Sequence, residues 1–425
     1  MRVAVIGAGI VGVTSAFELA GDGHEVTVFE RRASVASGTS FANAGVVSPG
    51  YVTPWAAPGM PLKVLRHLLG KHAPVRFGGL NALRQLPWMW QWWRACRPKV
   101  YQSNRAQMFQ LARYSSQRLA ELTTSLQLEF EQARGLTVLL RGAREVAMAQ
   151  ASMQMLRDLG VPFDLLDATQ CRRVEPGLNA DMGLQAGISL PQDGVGNCRQ
   201  FAHQLKAQAQ QRGAVFRFQH QVLDLKPDQR PRLLVRDLGA SGRPEEAGFD
   251  AVLLCAGHEA PALLRPLGLA LPIVPVYGYS ITAPLREADG PFAGGPRGAV
   301  MDEKYKVAIS RLGQRVRVAG SAEIGGRAEH MNDAALATLY KVLDDWYPGA
   351  ARLAQAVPWK GARPMLPDGP PVLGASGAPG VWLNLGHGSS GWALSCGSAR
   401  AVADLIAGRE PGLDLSGLAP ARLQR

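Results

Sequence analysis

Three glycines spaced Gly7-x-Gly9-x-x-Gly12 stand between a short apolar run, Arg2–Ile6, and a helix-compatible segment reaching Leu19. A turn at Gly21 and Gly23 follows, then a second strand-like run, Glu25 to Phe29, closed by Glu30. Strand, glycine turn, helix, strand and acid in that order make the βαβ unit of a dinucleotide site. Gly7 permits the tight turn, Gly9 lets backbone amides approach a pyrophosphate, and Gly12 lets helix and strand pack closely. The amides of Ile10 and Val11 open the helix, whose N-terminus carries partial positive charge suited to phosphates. Glu30, followed by Arg31, lies where a carboxylate accepts both hydroxyls of an adenosine ribose.

The chain has 425 residues, too many for one core, so two domains are expected. Hydrophobic residues at 47% and charged residues at 19% describe an ordinary globular protein. No apolar run reaches the length that spans a bilayer, and a strand beginning at residue 2 leaves no room for a signal peptide. Cys96, Cys171, Cys198, Cys255 and Cys396 are odd in number and scattered without a C-x-x-C spacing. That argues against metal sites and disulfide frameworks and fits a reducing cytoplasm. Lys and Arg total 46 against 34 acids, a net charge of +12. Such an excess attracts nucleic acid, anionic lipid or acidic ligands, or simply lies on solvated faces. Nucleic acid is the poorest of these partners, because no recognition motif accompanies the charge.

Elements of nucleotide-binding type recur at the start, the middle and the end of the chain. Phe249–Gly257 reads as a buried strand ending on glycine, and Val381–Leu385 as a strand before Gly386-His-Gly-Ser-Ser-Gly391. Helical patterns cover Asn104 to Leu126, Ala143 to Leu159, Arg199 to Gln211 and Asn332 to Trp346. Short strand signals crowd residues 272–325, at Ile273–Tyr277, Tyr279–Thr282, Tyr305–Ser310 and Arg315–Ala319. Val215 to Leu225 reads as a strand pair or one bent strand. The fold class expected is α/β: a discontinuous Rossmann-like nucleotide domain from 1–60, 187–271 and 355–425. A second, α+β domain with an antiparallel sheet takes 61–186 and 272–354 for the substrate.

The first motif serves NAD and FAD alike. The second, Gly386-x-Gly388-x-x-Gly391 with Ser389, presents another set of helix N-terminal amides, suited to the negative charge of a reduced flavin. From here the chain resembles the D-amino-acid dehydrogenase small subunits, within the glycine oxidase and D-amino-acid oxidase fold. The matching strings run in order from Thr39-Ser40-x-Ala42-Asn43-Ala44-Gly45 through Ser48-Pro49-Gly50-Tyr51 and Pro54-Trp55-Ala56-Ala57-Pro58-Gly59. They continue with Gly278-Tyr279-Ser280, Asp302-Glu303-x-Tyr305-Lys306, Arg363-Pro364-Met365-x-Pro367-Asp368-Gly369, Gly386-His387-Gly388, Gly391-Trp392 and Cys396-Gly397-Ser398. The resemblance implies FAD, and with no dedicated attachment site in the sequence its binding is expected to be non-covalent. The resemblance also implies oxidative deamination of a D-amino acid to a 2-oxo acid and ammonia, with electrons passed to a membrane quinone. Tyr277 departs from it, standing where a lysine or arginine is expected before Gly278.

An amino-acid substrate brings a carboxylate that must be fixed so that the Cα hydride faces flavin N5. A guanidinium does this through two parallel charge-assisted hydrogen bonds, and Arg363 is the residue expected to supply it. The alternative for Arg363 is a loop-stiffening pair with Asp368. Tyr279 and Tyr305 are either further carboxylate contacts or strand packing, and Arg311 is a reserve cation. Asn43, Ala44 and Gly45 are expected to line the ring or pyrophosphate and Ser40 to bond a phosphate. Gly257 lets the sheet edge pass the nucleotide, and the resemblance gives Val222 a backbone contact to adenine. His387 is either a general base or a positioning group. The reaction expected is hydride transfer, its rate supplied by positioning and electrostatics.

Two segments bear on a bilayer surface. In Pro61–His72, Leu62, Leu65, Leu68 and Leu69 share a helical face opposite Lys63, Arg66, His67 and Lys71. Pro87–Arg97 carries Trp88, Trp90, Trp92 and Trp93 among basic residues. Either these touch the cytoplasmic face of the inner membrane, where tryptophan and cations collect, or the tryptophans are core or subunit contacts. Two other readings stay open: an oxidase of glycine, sarcosine or an imino acid that uses oxygen, and a non-catalytic flavin electron-transfer subunit.

Overall fold

A computed structural model describes residues 1–67, 70, 72–286 and 294–423. Two sheets share the chain. The smaller has six strands in the order Val372–Ala375, Val381–Leu385, Ala251–Leu254, Arg2–Ile6, Glu25–Glu30 and Val215–Phe218. Every neighbouring pair is parallel except the first. Helix Ile10–Gly21 crosses over from the first strand to the second, and helices Cys198–Gln211 and Gly391–Ile406 pack against it. Phe17, Leu19, Phe201, Leu205 and Leu394 fill the layer between them and the sheet. Val252 and Leu254 point to the other face, against Leu264 and Leu383. Both faces are therefore covered, which is why Ala251–Leu254 is apolar throughout instead of alternating.

The larger sheet has ten strands. Its path runs Val357–Met365, Val274–Pro284, Arg315–Ile324, Val307–Leu312, Ala299–Asp302, Ala133–Leu140, Ala186–Val195 and Val46–Val47. Val75–Phe77 and Asp164–Asp167 pair off this path. The sheet is mixed, with parallel pairings of Ala299–Asp302 to Ala133–Leu140 and of Val75–Phe77 to Arg315–Ile324. Helix Asp333–Trp346 closes one face over Leu339, Val342 and Trp346. A separate three-stranded meander holds His220–Lys226, Arg232–Asp237 and Glu245–Gly248.

Several strand readings need adjustment. Ile273–Tyr277 and Tyr279–Thr282 are one strand, Val274–Pro284, whose Gly278 faces a bulge at Ser321 and Ala322 of Arg315–Ile324. The residues read as one strand pair, Val215 to Leu225, divide between the six-stranded sheet and the meander. Val46–Val47, Ala186–Val195 and Val357–Met365 fall within the nucleotide share by sequence order, yet all three pair in the ten-stranded sheet. Long-range pairing decides this, and local composition does not encode it.

The basic helix spans Met60–His67, while Leu68, Leu69 and Lys71 lie outside the described residues. The tryptophan segment is a helix, Leu86–Ala95, and it splits its four rings. Trp88 is buried and Trp92 half-buried beside Trp55, whereas Trp90 and Trp93 are 55% and 52% exposed. No described helix is long and apolar enough to cross a membrane.

Candidate active site

The carboxyl ends of the parallel strands converge on one cavity of 1330 Å³. Ile6–Gly7, Phe29–Glu30, Cys255–Gly257 and Leu385–Gly386 all reach it from the smaller sheet, where ligands of open α/β sheets bind. The larger sheet contributes Tyr277, Gly278, Tyr279, Gly320, Lys360 and Arg363.

The phosphate end has the expected form. Gly7 takes φ +101°, a conformation that costs a side chain dearly, and a Cβ at Gly12 would land on the Gly7 carbonyl oxygen. Gly12 accordingly lies beneath the turn instead of lining the cavity, and Gly9, Ile10 and Val11 line it. Glu30 is held at the edge by the amides of Ala8, at 2.8 Å, and Arg32, at 2.9 Å. Arg31 is paired with Glu259 across the mouth, and Val222 and Gly257 complete that side. Ser40 accepts the Ile10 amide at 3.0 Å, so its hydroxyl caps the helix and keeps its proton for a further acceptor.

Further in, Asn43 Oδ1 accepts the Gly45 amide at 3.0 Å, folding Asn43–Gly45 into a tight turn along the wall. Trp392 Nε1 donates to the Gly45 carbonyl at 3.2 Å and ties that turn to the last helix. The two chain ends thereby face one space, with Gly386, Gly388, Ser389 and Gly391 lining it from the C-terminal side.

Arg363 lines the cavity from Val357–Met365. Its Nη1 donates to the Ser321 carbonyl at 2.7 Å, and no carboxylate is paired with it among the described residues. Asp368, the alternative partner, is held instead by Arg422 at 2.9 Å. Burial lowers the guanidinium to about 10, so it stays charged at neutral pH. A half-buried cation with one carbonyl for company is suited to receive an anion.

The other catalytic expectations change. Tyr279 lines the cavity, but its hydroxyl donates to Glu323, which also accepts Lys360 Nζ at 2.9 Å and Asn332 Nδ2 at 3.1 Å. Burial alone would raise Glu323, yet the Tyr279 and Lys360 hydrogen bonds outweigh it and hold the carboxyl below its ordinary value. The Tyr279 proton is thus already committed, and the ring is wall. Lys360 Nζ lies 4.4 Å from the Tyr277 ring centroid, so a cation from the neighbouring strand stands over the position where one was expected in sequence.

Tyr305 does not line the cavity. It sits on the turn after Ala299–Asp302, and its ring stacks under Arg141 at 5.0 Å. The same turn sends Glu303 and Lys306 inward instead, both bonded to the Tyr51 hydroxyl. Arg311 is spent on the Pro296 and Gly313 carbonyls.

His387 is buried, with Nε2 3.0 Å from Ser398 Oγ, which itself donates to the Ser395 carbonyl. Burial drops the imidazole to about 3, so it is neutral and its Nε2–H donates to Ser398. His387 thus lies in the cavity wall just ahead of the last helix, with its ring nitrogen turned to that helix. Sequence reading passed over Ser48, Tyr51, Glu303 and Lys306 although all four stand in the quoted strings. Arg105, buried in the wall, gave no signal beyond its place in a long helix.

The cavity fits FAD: close-approach glycines, an oriented carboxylate at the strand edge and two helix N-termini aimed into one space. Comparisons with known proteins agree. Residues 2–405 match the family model DAO, FAD dependent oxidoreductase. A D-amino acid dehydrogenase of Cereibacter sphaeroides is 43% identical over 423 residues, covering 98% of this chain and 94% of its own. One from Bradyrhizobium diazoefficiens is 40% identical over 427 residues, covering 98% of each chain. The fold is also that of glycine oxidase from Bacillus cereus, at TM-score 0.73, 20% identity and 96% of both chains. The iminodiacetate oxidase of Chelativorans sp. gives TM-score 0.73 at 23% identity, over 99% of both.

The protein is an FAD-dependent oxidoreductase with the α/β fold of the glycine oxidase group. Within that class, the chain belongs to the D-amino acid dehydrogenase family.

Proposed function

We propose that this enzyme oxidises D-amino acids to imino acids, which water converts to 2-oxo acids and ammonia, and that a quinone takes the electrons. The observation that carries the substrate class is Arg363, a charged, half-buried guanidinium of the cavity wall with no acid partner among the described residues. Its paired N–H donors suit a carboxylate, and with the carboxylate fixed the substrate has one way to present Cα. FAD, when bound, supplies the two-electron acceptor for the Cα hydride. Around it, Glu30 is suited to the ribose, the amides after Gly7 to the pyrophosphate, and the amides before Gly391 to negative charge on the ring. His387 and Tyr279 hold the walls. Residues 1–60, 187–271 and 355–425 serve the cofactor in this reading, apart from the three strands lent to the larger sheet, and 61–186 and 272–354 serve the substrate.

A lipid-borne acceptor requires a surface that meets the bilayer, and residues 60–97 support one. Leu62, Leu65, Leu80, Leu83, Leu86, Trp90 and Trp93 are all more than half exposed there. Between Glu30 and Glu121 the chain has thirteen Lys and Arg and not one Asp or Glu. The remainder, with 33 cations against 34 acids, is close to neutral, so the whole surplus of charge lies on this stretch. Exposed apolar side chains within a run of sequence rich in Lys and Arg and free of acids suit an anionic membrane face.

The test is anaerobic loss of flavin absorbance with D- and L-enantiomers, followed by reoxidation with a soluble quinone or with oxygen. Bleaching by D-forms and rapid reoxidation by quinone are expected. Response to L-forms alone would overturn the substrate, and peroxide formation without quinone reduction would favour the oxidase reading.

A further inference from the structure

Five carboxylates are buried among the described residues. Glu18 is met by Arg118 and Arg400, Asp302 by Arg141, Glu323 by Lys360, and Glu175 by the amides of Arg297 and Gly298. Asp193 has neither cation nor amide; its one bond comes from the Ser48 hydroxyl. Val46–Val47 pairs with Ala186–Val195 so that Val47 faces Gly194, and this register brings Ser48 beside Asp193. Ser48 in turn contributes to the cavity wall, next to the turn that holds Tyr51. The arrangement is a residue of the cavity wall whose hydroxyl is bonded to a buried carboxylate with no cation or amide against it.

We propose that Ser48 and Asp193 form the route by which the substrate ammonium loses its proton. Only a neutral amine can push electrons toward the imine as the Cα hydride departs. One substrate N–H bond breaks as Ser48 Oγ gains that proton, while the hydroxyl's own proton passes to Asp193 Oδ2. No electrons change hands in this step. Burial raises Asp193 to about 6, against a lowering by the Ser48 bond, which suits a group that must accept a proton near neutrality. The other charged groups nearby do not bond to it. Arg134, opposite Gly194 on the adjacent strand, is exposed, and Tyr51, Glu303 and Lys306 bond to one another, while Lys63 stands elsewhere in the wall. Asp193 acts through Ser48 and is a positioning residue in this scheme.

The proposal rests on the D-amino acid reading, and the experiment separates the two. Rates of anaerobic flavin reduction are measured from pH 5 to 10 for the wild type, Asp193→Asn and Ser48→Ala, each with its FAD content determined. The wild-type rate is expected to rise through an ionisation near pH 6. Either variant is expected to lose that limb, to be slower by roughly tenfold or more at pH 7, and to converge on the wild type at alkaline pH where the substrate amine is already neutral. Profiles parallel to the wild type, whether displaced or superimposed, would overturn the relay. A wild type that no D-amino acid reduces would overturn the functional reading beneath it.

Discussion

The guanidinium of Arg363 fills the space that a Cβ on Gly278 would need. Even its more distant nitrogen, Nη1, would stand 2.9 Å from that atom. Gly278, opposite the bulge of Arg315–Ile324, therefore admits the cation to the cavity wall, and two residues 85 positions apart work as one feature. Arg363→Lys keeps the charge and loses the fork. Forfeiting one charge-assisted hydrogen bond costs about 1.5–3 kcal/mol, which is a roughly 10- to 100-fold drop in kcat/KM for D-amino acids. FAD content should be unchanged. A variant with wild-type kcat/KM would show that the carboxylate is held elsewhere.

Gly12 tests the phosphate end independently of the substrate. Its missing side chain leaves room for the Gly7 carbonyl, and the strained Gly7 conformation leaves the turn no easy way to shift. Gly12→Ala should separate the helix from the strand end and displace the amides of Ile10 and Val11. The expected outcome is a purified protein with less than about a tenth of the wild-type FAD, a loss of at least 1.4 kcal/mol in cofactor binding by the usual tenfold rule. Stoichiometric yellow protein would mean that the cofactor is held without this turn.

What the sequence disclosed follows the range of the interactions involved. The βαβ unit, the cap glycines and the final glycine turn are local, and each lies where its pattern indicated. Arg363 lines the cavity from a strand, Val357–Met365, that local pattern did not disclose. Tyr305 and Glu303 show the limit: neighbours on one turn, they face opposite ways, and only the pairing of Ala299–Asp302 with Ala133–Leu140 decides which enters the cavity. The Tyr279–Glu323–Lys360 cluster likewise needs three strands brought side by side. The tryptophans were half legible, since helical spacing already barred a single face but not which rings would pack on Trp55.

His387 imposes a pH dependence on stability. Its imidazole binds a proton near 6.5 when unfolded but, held against Ser398, only near 3 in the folded protein. The unfolded chain thus takes up more protons below pH 6.5, and the stability tied to this group is whole above that pH and lost as pH falls toward 3. At pH 5 the loss is roughly 2 kcal/mol, about 1.4 kcal/mol for each pH unit. Urea unfolding at pH 7 and pH 5 should show a smaller decline for His387→Gln, whose amide can still donate to Ser398. Equal declines would mean that the imidazole is solvated or charged in the folded state.

The division of the tryptophans separates anchoring from packing. Trp90 and Trp93 lie with ring centroids 4.9 Å apart and planes tilted by 48° on the exposed side of their helix, whereas Trp92 leans on Trp55 at 6.0 Å. An indole at a lipid interface and an indole in a core are both stabilising, but they answer to different measurements. Trp90→Ala/Trp93→Ala should lower flotation with vesicles of anionic lipid by roughly tenfold and leave the unfolding midpoint near the wild type. Trp92→Ala should do the reverse, since it opens a gap beside Trp55 and Trp88. Raised salt should weaken wild-type binding, because part of the attraction comes from cations with no acids among them. If the wild type ignores anionic vesicles at low salt, or the double variant floats as well as it does, the exposed rings do not meet lipid.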